Sequence, residues 1–153
     1  MEKIKVGIVG LGRQGLRHLF TLTRFNDVEI SAVCDVNTLS LKRVVDKYKV
    51  KSYYTDYIEM AEKSSADCVF VVTKPDETHA KITSVFLEYG KHVFCEKPMA
   101  TKLREAEDVV KKAKKAGRLL MVGFNRRYMP IFQRAKQEFE NPAEVNICQA
   151  EMC

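Results

Sequence analysis

Short apolar runs alternate along the chain with segments whose apolar residues recur every three or four positions. A continuous or alternating apolar run of four to eight residues is typical of a strand, and the longer recurrence is typical of an amphipathic helix. The pattern therefore predicts strands at residues 3–9, 28–34, 52–54, 67–72, 91–95 and 118–122. It predicts helices at residues 13–24, 38–48, 57–63, 77–89, 102–116 and 129–140.

This regular alternation of strand and helix predicts an α/β fold. Strand–helix–strand units cross over with a right hand, which gives a doubly wound parallel sheet with helices on both faces. We expect residues 1–141 to form this domain, since the pair at 141–142 (Asn-Pro) is the only candidate boundary. Residues 143–151 alternate again, and we expect residues 142–153 to begin a second domain.

For the helix predicted at 102–116, the sequence also predicts the cap residue and the positions that face inward. Thr101 is placed to cap its N-terminus, because a threonine hydroxyl can accept a hydrogen bond from an N–H group of the first turn. The apolar positions expected to face inward are Leu103, Ala106, Val110 and Ala113.

Composition narrows the class of protein. The length of 153 residues fits one domain, and 46% hydrophobic with 30% charged residues excludes a disordered or fibrous chain. No apolar run approaches the ~20 residues of a membrane span, and no signal peptide precedes the first strand, so we expect a cytoplasmic protein without membrane contact. The five cysteines contain no CxxC pair, which favours reduced thiols over disulfides or zinc.

Positive charge is concentrated in the last part of the chain, between residues 91 and 136. The net charge is +6, and residues 91–136 hold 13 basic and 4 acidic side chains, which suits an anionic ligand. The lysine-rich stretch 111–115 has no interleaved aromatic residues, so we interpret it as a solvated helix face and expect no nucleic-acid partner. The three histidines, His18, His79 and His92, are too scattered to predict a metal site.

The strongest local signal is a glycine-rich turn between the first strand and the first helix. Its sequence is Gly10-Leu11-Gly12-Arg13-Gln14-Gly15. In a Rossmann fold, the first glycine permits a tight turn, the second lets the backbone approach a pyrophosphate, and the third lets helix and strand pack closely. The helix N-terminus would supply unpaired N–H groups to the phosphates.

An acidic residue follows at the spacing that this interpretation requires. Asp35 ends the next strand, twenty residues after Gly15, where a carboxylate accepts hydrogen bonds from the adenosine ribose and repels a 2′-phosphate. Asn37 can also bind the ribose. This favours NAD, although Lys42 and Arg43 leave NADP possible. The structural alternative is a glycine-rich turn followed by Asp35 as a helix cap.

Three later loops follow predicted strands and should open at the same edge of the sheet as the glycine-rich turn. Their sequences are Thr73-Lys74-Pro75-Asp76-Glu77-Thr78-His79, Cys95-Glu96-Lys97-Pro98 and Gly123-Phe124-Asn125-Arg126-Arg127-Tyr128. Taken alone, each loop is equally well explained as a polar turn at the surface without a function. Together with the glycine-rich turn, they form a more specific combination.

These motifs resemble the Gfo/Idh/MocA oxidoreductases, which include glucose–fructose oxidoreductase and inositol dehydrogenase. In chain order they are the pattern GxGxxGxxH from Gly10 to His18, Asp35, Thr73-Lys74-Pro75-x-x-x-His79, Gly90-Lys91-His92-Val93-x-x-Glu96-Lys97-Pro98 and Gly123-Phe124-Asn125-Arg126-Arg127. The resemblance covers residues 3–140. Lys74 and Asp76 depart from it, because the family commonly has a small or apolar residue and an asparagine there.

The resemblance implies which residues bind the cofactor, NAD or less readily NADP. They are Gly10, Gly12, Arg13, Gln14, Gly15, Asp35, Asn37, Thr73, Pro75, His79, Glu96, Lys97, Asn125 and Arg126. It also implies that Lys97 is the catalytic residue, which takes a proton from a sugar or polyol hydroxyl as hydride leaves the same carbon. Pro98 would direct the Lys97 side chain.

Members of this family carry a second α/β domain, largely an open antiparallel sheet, which supplies further substrate contacts and the dimer face. We therefore expect this chain to be a fragment of a dehydrogenase that acts on a small hydroxyl or carbonyl substrate and is a homo-oligomer when full length, rather than a natural single-domain protein, which is the alternative. The alternative function is that of a non-catalytic NAD-binding module or redox sensor. Such a module has no use for Lys97, whose presence favours the enzyme.

Overall fold

The computed structural model describes residues 2–138, and six of its segments form one parallel sheet. The strands are β1 (Ile4–Val9), β2 (Val28–Cys34), β3 (Ser52–Tyr54), β4 (Cys68–Val71), β5 (His92–Cys95) and β6 (Leu120–Val122). Their order is β3-β2-β1-β4-β5-β6. The predicted doubly wound sheet is confirmed, and the chain reverses its direction of winding between β1 and β4, where α/β sheets bind ligands.

Helices connect the strands as the pattern predicts. The first unit of the chain, Met1–Gly123, contains α1 (Arg13–Leu22), α2 (Thr38–Tyr48), α3 (Tyr57–Lys63), α4 (Thr78–Glu88) and α5 (Leu103–Ala116). The second unit begins at Phe124 and contains a 3₁₀ helix (Asn125–Tyr128) and α6 (Pro130–Glu138). The predicted boundary at 141–142 and the predicted strand at 143–151 lie outside the described residues.

Two apolar clusters cover the two faces of the sheet. Consecutive residues of β1 point to opposite clusters, as the period of two in a strand requires: Val9 lies in one and Ile8 in the other. The Val9 cluster includes Phe86 from α4, which has no exposed surface, and the Ile8 cluster includes Leu19 from α1. Helices therefore pack on both faces, which buries Ile8 and Val9 of β1 and Val69 and Val71 of β4.

The start and the inner face of α5 differ from the prediction. Lys102 occupies the cap position, and no side chain caps the helix there, so the expectation for Thr101 is wrong. Val109 is 1% exposed, whereas Val110 is 39% and Leu103 is 78% exposed. Val109 and Val110 both fit a helical spacing with Ala113, and packing against α4 and the sheet decides which of them is buried.

The cysteines of the first unit are consistent with the predicted reduced state. Cys34, Cys68 and Cys95 carry free thiols. Burial raises the pKa of Cys34 to about 12 and that of Cys95 to about 11, which keeps both thiols protonated and unreactive. Cys148 and Cys153 lie outside the described residues. Within residues 2–138, the helices are too short or too polar to cross a membrane.

We expect Phe86→Ala to lower the free energy of unfolding by about 3–5 kcal/mol, because it leaves a cavity in a fully buried cluster. Urea denaturation followed by circular dichroism measures this. Phe25→Ala is the matched control, since Phe25 is 54% exposed, and it should change stability by less than about 0.5 kcal/mol. Equal losses in the two variants would contradict the position of the core.

Candidate active site

The parallel ladder continues past the ends of the strands and brings the loops after β1, β4 and β5, with Gly123 at the end of β6, together at one edge of the sheet. Three main-chain hydrogen bonds extend the ladder: Val72 N donates to Val9 O at 2.8 Å, Glu96 N to Val71 O at 2.9 Å, and Gly123 N to Cys95 O at 2.8 Å. The loops that follow β1, β4 and β5 therefore leave the sheet side by side. This is the edge where the sequence predicts the site.

Close packing explains two of the three glycines in the turn after β1. Gly10 has a φ of +95°, and a Cβ atom on it would lie 2.5 Å from the carbonyl oxygen of Val72. A Cβ atom on Gly15 would lie 1.9 Å from the carbonyl oxygen of Gly10. Side chains at these positions would force the turn away from β4 and α1 away from the turn, so both glycines are needed by the fold.

Gly12 is different, because nothing in the described part of the chain requires a glycine there. Its φ of −67° and ψ of −176° suit any residue, and a Cβ atom on it would meet no atom within 4 Å. Gly12 is also the cap residue of α1, and no side chain caps this helix end. The open surface above Gly12 and the uncapped N–H groups fit a bound anionic group such as a pyrophosphate.

Asp35 fixes the glycine-rich turn to the end of β2. Its Oδ2 accepts a hydrogen bond from Leu11 N at 2.6 Å, and its Oδ1 accepts one from Asn37 N at 2.8 Å. The cap of α2 is Asn37, whose Oδ1 accepts from the N–H groups of residues 39 and 40, so Asp35 is not the helix cap. A carboxylate has about four acceptor positions, which leaves Asp35 able to bind ribose hydroxyls as well.

The buried carboxylate of Glu96 is the centre of a polar network. Glu96 is 8% exposed. Its Oε1 lies 2.8 Å from His18 Nε2 and accepts a hydrogen bond from Gln14 Nε2 at 3.3 Å. Its Oε2 accepts from Lys97 N at 3.1 Å. The network joins α1 to the loop after β5, and so it holds the residues around Lys97 against the glycine-rich turn.

His18 is the site residue that sequence reasoning missed. Its ring packs against Phe70 and Phe94, with centroid distances of 5.5 and 5.3 Å. Its Nε2 nevertheless pairs with Glu96. The available signal was its position three residues after Gly15, because residues three apart on a helix share a face.

Hydrogen bonding keeps Glu96 ionised despite its burial. Burial alone would raise the pKa of Glu96. The hydrogen bonds from His18, Lys97 N and Gln14 outweigh burial and hold the pKa below its ordinary value of 4.5. The site therefore contains a fixed negative charge near Lys97.

The loop after β4 is ordered by its own hydroxyl groups. Thr73 Oγ1 lies 2.6 Å from Thr78 Oγ1, which also donates to Pro75 O at 2.7 Å. Pro75 itself is exposed and follows a cis peptide bond. Lys74 and Asp76, the two departures from the family pattern, form an ion pair with each other. The hydrogen bond from Lys74 lowers the pKa of the Asp76 carboxyl.

The remaining site residues lie in different surroundings. Arg13 and Lys97 are exposed at the edge of the sheet. His79 is 1% exposed, and its two ring nitrogens lie 2.6 Å from Pro98 O and 2.9 Å from Thr73 O. No polar atom of this ring is left for a cofactor. Asn125 and Arg126 are exposed residues of the 3₁₀ helix in the second unit.

A comparison with protein families identifies the pattern that these loops form. The model described as "Oxidoreductase family, NAD-binding Rossmann fold", named GFO_IDH_MocA, matches residues 4–124. This range contains all six strands of the sheet and the loops after β1, β2, β4 and β5. Of the loop after β6, it contains only Gly123 and Phe124.

Individual relatives are dehydrogenases. The chain is 33% identical over 138 residues to myo-inositol 2-dehydrogenase from Thermotoga maritima, covering 90% of this chain and 41% of that protein. It is 35% identical over 140 residues to an inositol 2-dehydrogenase/D-chiro-inositol 3-dehydrogenase from Lactiplantibacillus plantarum, covering 90% and 40%. The chain thus spans about two fifths of the length of these relatives.

A solved structure with the same architecture contains both a cofactor and a substrate. It is scyllo-inositol dehydrogenase from Lactobacillus casei with bound NAD(H) and scyllo-inositol. The TM-score is 0.85 at 28% identity, and the match covers 95% of this chain and 43% of that chain.

We expect Glu96→Gln to lower the free energy of unfolding at pH 7 by about 1–3 kcal/mol, because the buried charge-assisted hydrogen bonds are weakened. Since folding lowers the pKa of Glu96, this contribution is complete above pH 4.5 and is lost as the pH falls through the folded-state value. The difference between wild type and variant in urea denaturation should therefore shrink below pH 4.5.

Glu88→Gln is the control for this prediction. Glu88 pairs with Lys112 on the surface, and its loss should cost less than about 0.5 kcal/mol at any pH. A Glu96→Gln difference that does not shrink as the pH falls below 4.5 would contradict the lowered pKa of Glu96.

Proposed function

The chain belongs to the Gfo/Idh/MocA oxidoreductase family, and we propose that it is the NAD-binding part of a dehydrogenase for a sugar, polyol or related hydroxyl compound. One observation carries the proposal. The open, uncapped surface above Gly12 and the exposed Lys97 lie on loops that the buried Glu96 joins through Gln14 and His18. A phosphate-binding turn and a proton-transfer group are thus held together by one network.

The cofactor would lie along the carboxyl edge of the sheet. Its pyrophosphate fits the N-terminus of α1, where Gly12 leaves space and Arg13 is exposed to add positive charge. Its adenosine ribose fits Asp35 and Asn37, whose amide Nδ2 remains a donor because Oδ1 caps α2. Exposed Lys42 and Arg43 on α2 would tolerate the extra phosphate of NADP. Bound NAD supplies a ring that exchanges hydride with the substrate.

Lys97 is the residue that would move the proton. Its side chain is exposed at the site, while its main chain is fixed by the hydrogen bond from Lys97 N to Glu96 Oε2. When the substrate is oxidised, Lys97 Nζ would take the hydroxyl proton as the hydride leaves the carbon that bears this hydroxyl, and in reduction it would return a proton to the carbonyl oxygen.

The substrate class rests on the relatives, whose names specify inositols. An inositol carries several ring hydroxyls, and further polar contacts must select one of them for oxidation. We propose that these contacts come from sequence beyond the described residues, in the second domain that the family carries. That domain would also supply the surface through which the protein forms a homo-oligomer.

We expect Gly12→Ser to leave the chain fully folded but to weaken NAD binding. Serine is a favourable helix cap and would meet no atom of the protein, so the melting temperature should not fall. Its side chain would occupy the space above the turn and compete for the N–H groups, which should raise the dissociation constant for NAD by about tenfold or more, or 1.4 kcal/mol. Calorimetry with NAD measures this.

Gly15→Ala is the contrasting variant, because its Cβ atom would clash with Gly10 O, and we expect it to lose both stability and NAD binding. Undiminished NAD affinity in a folded Gly12→Ser chain would rule out the proposed pyrophosphate position.

We expect Lys97→Met in the native gene product to lower kcat by about 10²-fold or more, the usual contribution of a general base, with inositols and other polyols as substrates. The dissociation constant for NAD should stay within about threefold of wild type, because methionine keeps the main-chain hydrogen bond to Glu96 Oε2 and we assign the lysine amine to the substrate rather than to the cofactor. Lys81→Met, at an exposed position of α4, is the control and should behave as wild type. Retained turnover in Lys97→Met would remove this lysine from the mechanism.

A further inference from the structure

We propose that His79 is a positioning residue, which holds the Lys97-Pro98 turn in place through a hydrogen bond from its Nδ1 to the carbonyl oxygen of Pro98. The proposal rests on the proposed function, because its consequence for turnover requires Lys97 to be the proton-transfer group. It changes the role that the sequence suggested for His79, from contact with the cofactor to support of the loop that carries Lys97.

The imidazole of His79 lies between the loops after β4 and β5. Its Nδ1 is 2.6 Å from Pro98 O, its Nε2 is 2.9 Å from Thr73 O, and the residue is 1% exposed. Main-chain carbonyl oxygens only accept hydrogen bonds, so the ring must act as the donor. One buried side chain therefore connects two loops that are separate in the sequence.

The two contacts differ in what they require. A neutral imidazole carries one N–H group, and the proposal places it on Nδ1, the nitrogen nearer to its carbonyl oxygen. The hydrogen bond that fixes the loop of Lys97 is then the one from Nδ1 to Pro98 O.

The ring is a rigid connection because its backbone is fixed independently. His79 N donates to Asp76 O at 3.1 Å, and Thr78 N donates to Pro75 O at 3.1 Å, which closes the first turn of α4. The next residue, Ala80, is itself buried in the core. The helix therefore sets the position of the imidazole, and the imidazole sets the position of Pro98 O.

Lys97 consequently lies between two anchors. Its own N–H group donates to Glu96 Oε2, and the carbonyl of the residue that follows accepts from His79. Its side chain is exposed, and no hydrogen bond or ion pair with residues 2–138 fixes it. The direction in which the lysine leaves the loop is thus determined by its backbone. A displacement of about 1 Å at such a position can cost about 10²-fold in rate.

Two substitutions of His79 test the hydrogen bonds of its two ring nitrogens separately. The amide nitrogen of asparagine reaches the position of Nδ1, and that of glutamine reaches the position of Nε2. His79→Asn therefore keeps the donor to Pro98 O, and His79→Gln keeps only the donor to Thr73 O. In the native gene product we expect His79→Gln to lower kcat by about tenfold or more and His79→Asn to stay within about threefold of wild type.

The dissociation constant for NAD should change by less than about threefold in both variants, because His79 offers no polar atom to the cofactor. His92→Gln is the control, since His92 Nδ1 accepts from Leu119 N outside the site, and its kcat should equal that of wild type. Equal loss of kcat in His79→Asn and His79→Gln, or a loss that appears only in NAD affinity, would overturn the proposal.

A second measurement on the 153-residue chain does not depend on turnover. In the wild-type ¹⁵N–¹H spectrum we expect a protected signal from Nδ1–H of His79, and a ring protonated only on Nε2 would overturn the proposal. Met99 N shares a peptide group with Pro98 O, so its amide signal should move in His79→Gln and stay in His79→Asn. If these spectra agree but Lys97→Met retains turnover, the proposed function fails and the loop connection stands.

Discussion

The parallel pairing of β1 with β4, and of β4 with β5, places all the candidate chemistry at one edge of this protein. Each strand continues its hydrogen bonds for one residue beyond its end, so that Val72 bonds to Val9 and Glu96 bonds to Val71. The loops after β1, β4 and β5 are therefore in fixed register before any side chain contributes. Since the winding reverses between β1 and β4, the helices of the first unit leave this edge on opposite faces of the sheet, and the edge is where α/β sheets bind ligands.

Buried polar residues then set the position of exposed ones. Glu96 and His79 are almost completely buried, and each donates or accepts across two segments that are distant in the sequence. Lys97, which would do the chemistry, is exposed and makes few contacts itself. This division is physically reasonable, because a rigid and desolvated network defines one geometry, while an amine that must exchange protons needs access to its substrate.

The sequence predicted the elements well and the contacts between them poorly. The strand Val28–Cys34 and the helix Thr38–Tyr48 occupy the predicted ranges, because alternation and capping are local properties of the chain. The choice of Val109 over Val110 as the buried residue of α5 depends on α4 and was predicted wrongly. The pairing of His18 with Glu96 joins residues 78 positions apart, and no local pattern encodes it.

Comparison of the three glycines distinguishes two that the fold requires from one that it does not. Replacement of Gly10 or Gly15 would cause clashes within the chain, so the fold alone accounts for them. Gly12 has ordinary dihedral angles and empty space around it, and a residue with a side chain would fit there and cap α1. Neither its conformation nor its packing within residues 2–138 requires a glycine at position 12. Its place at a helix N-terminus is the basis on which we propose that it leaves room for the pyrophosphate of the cofactor.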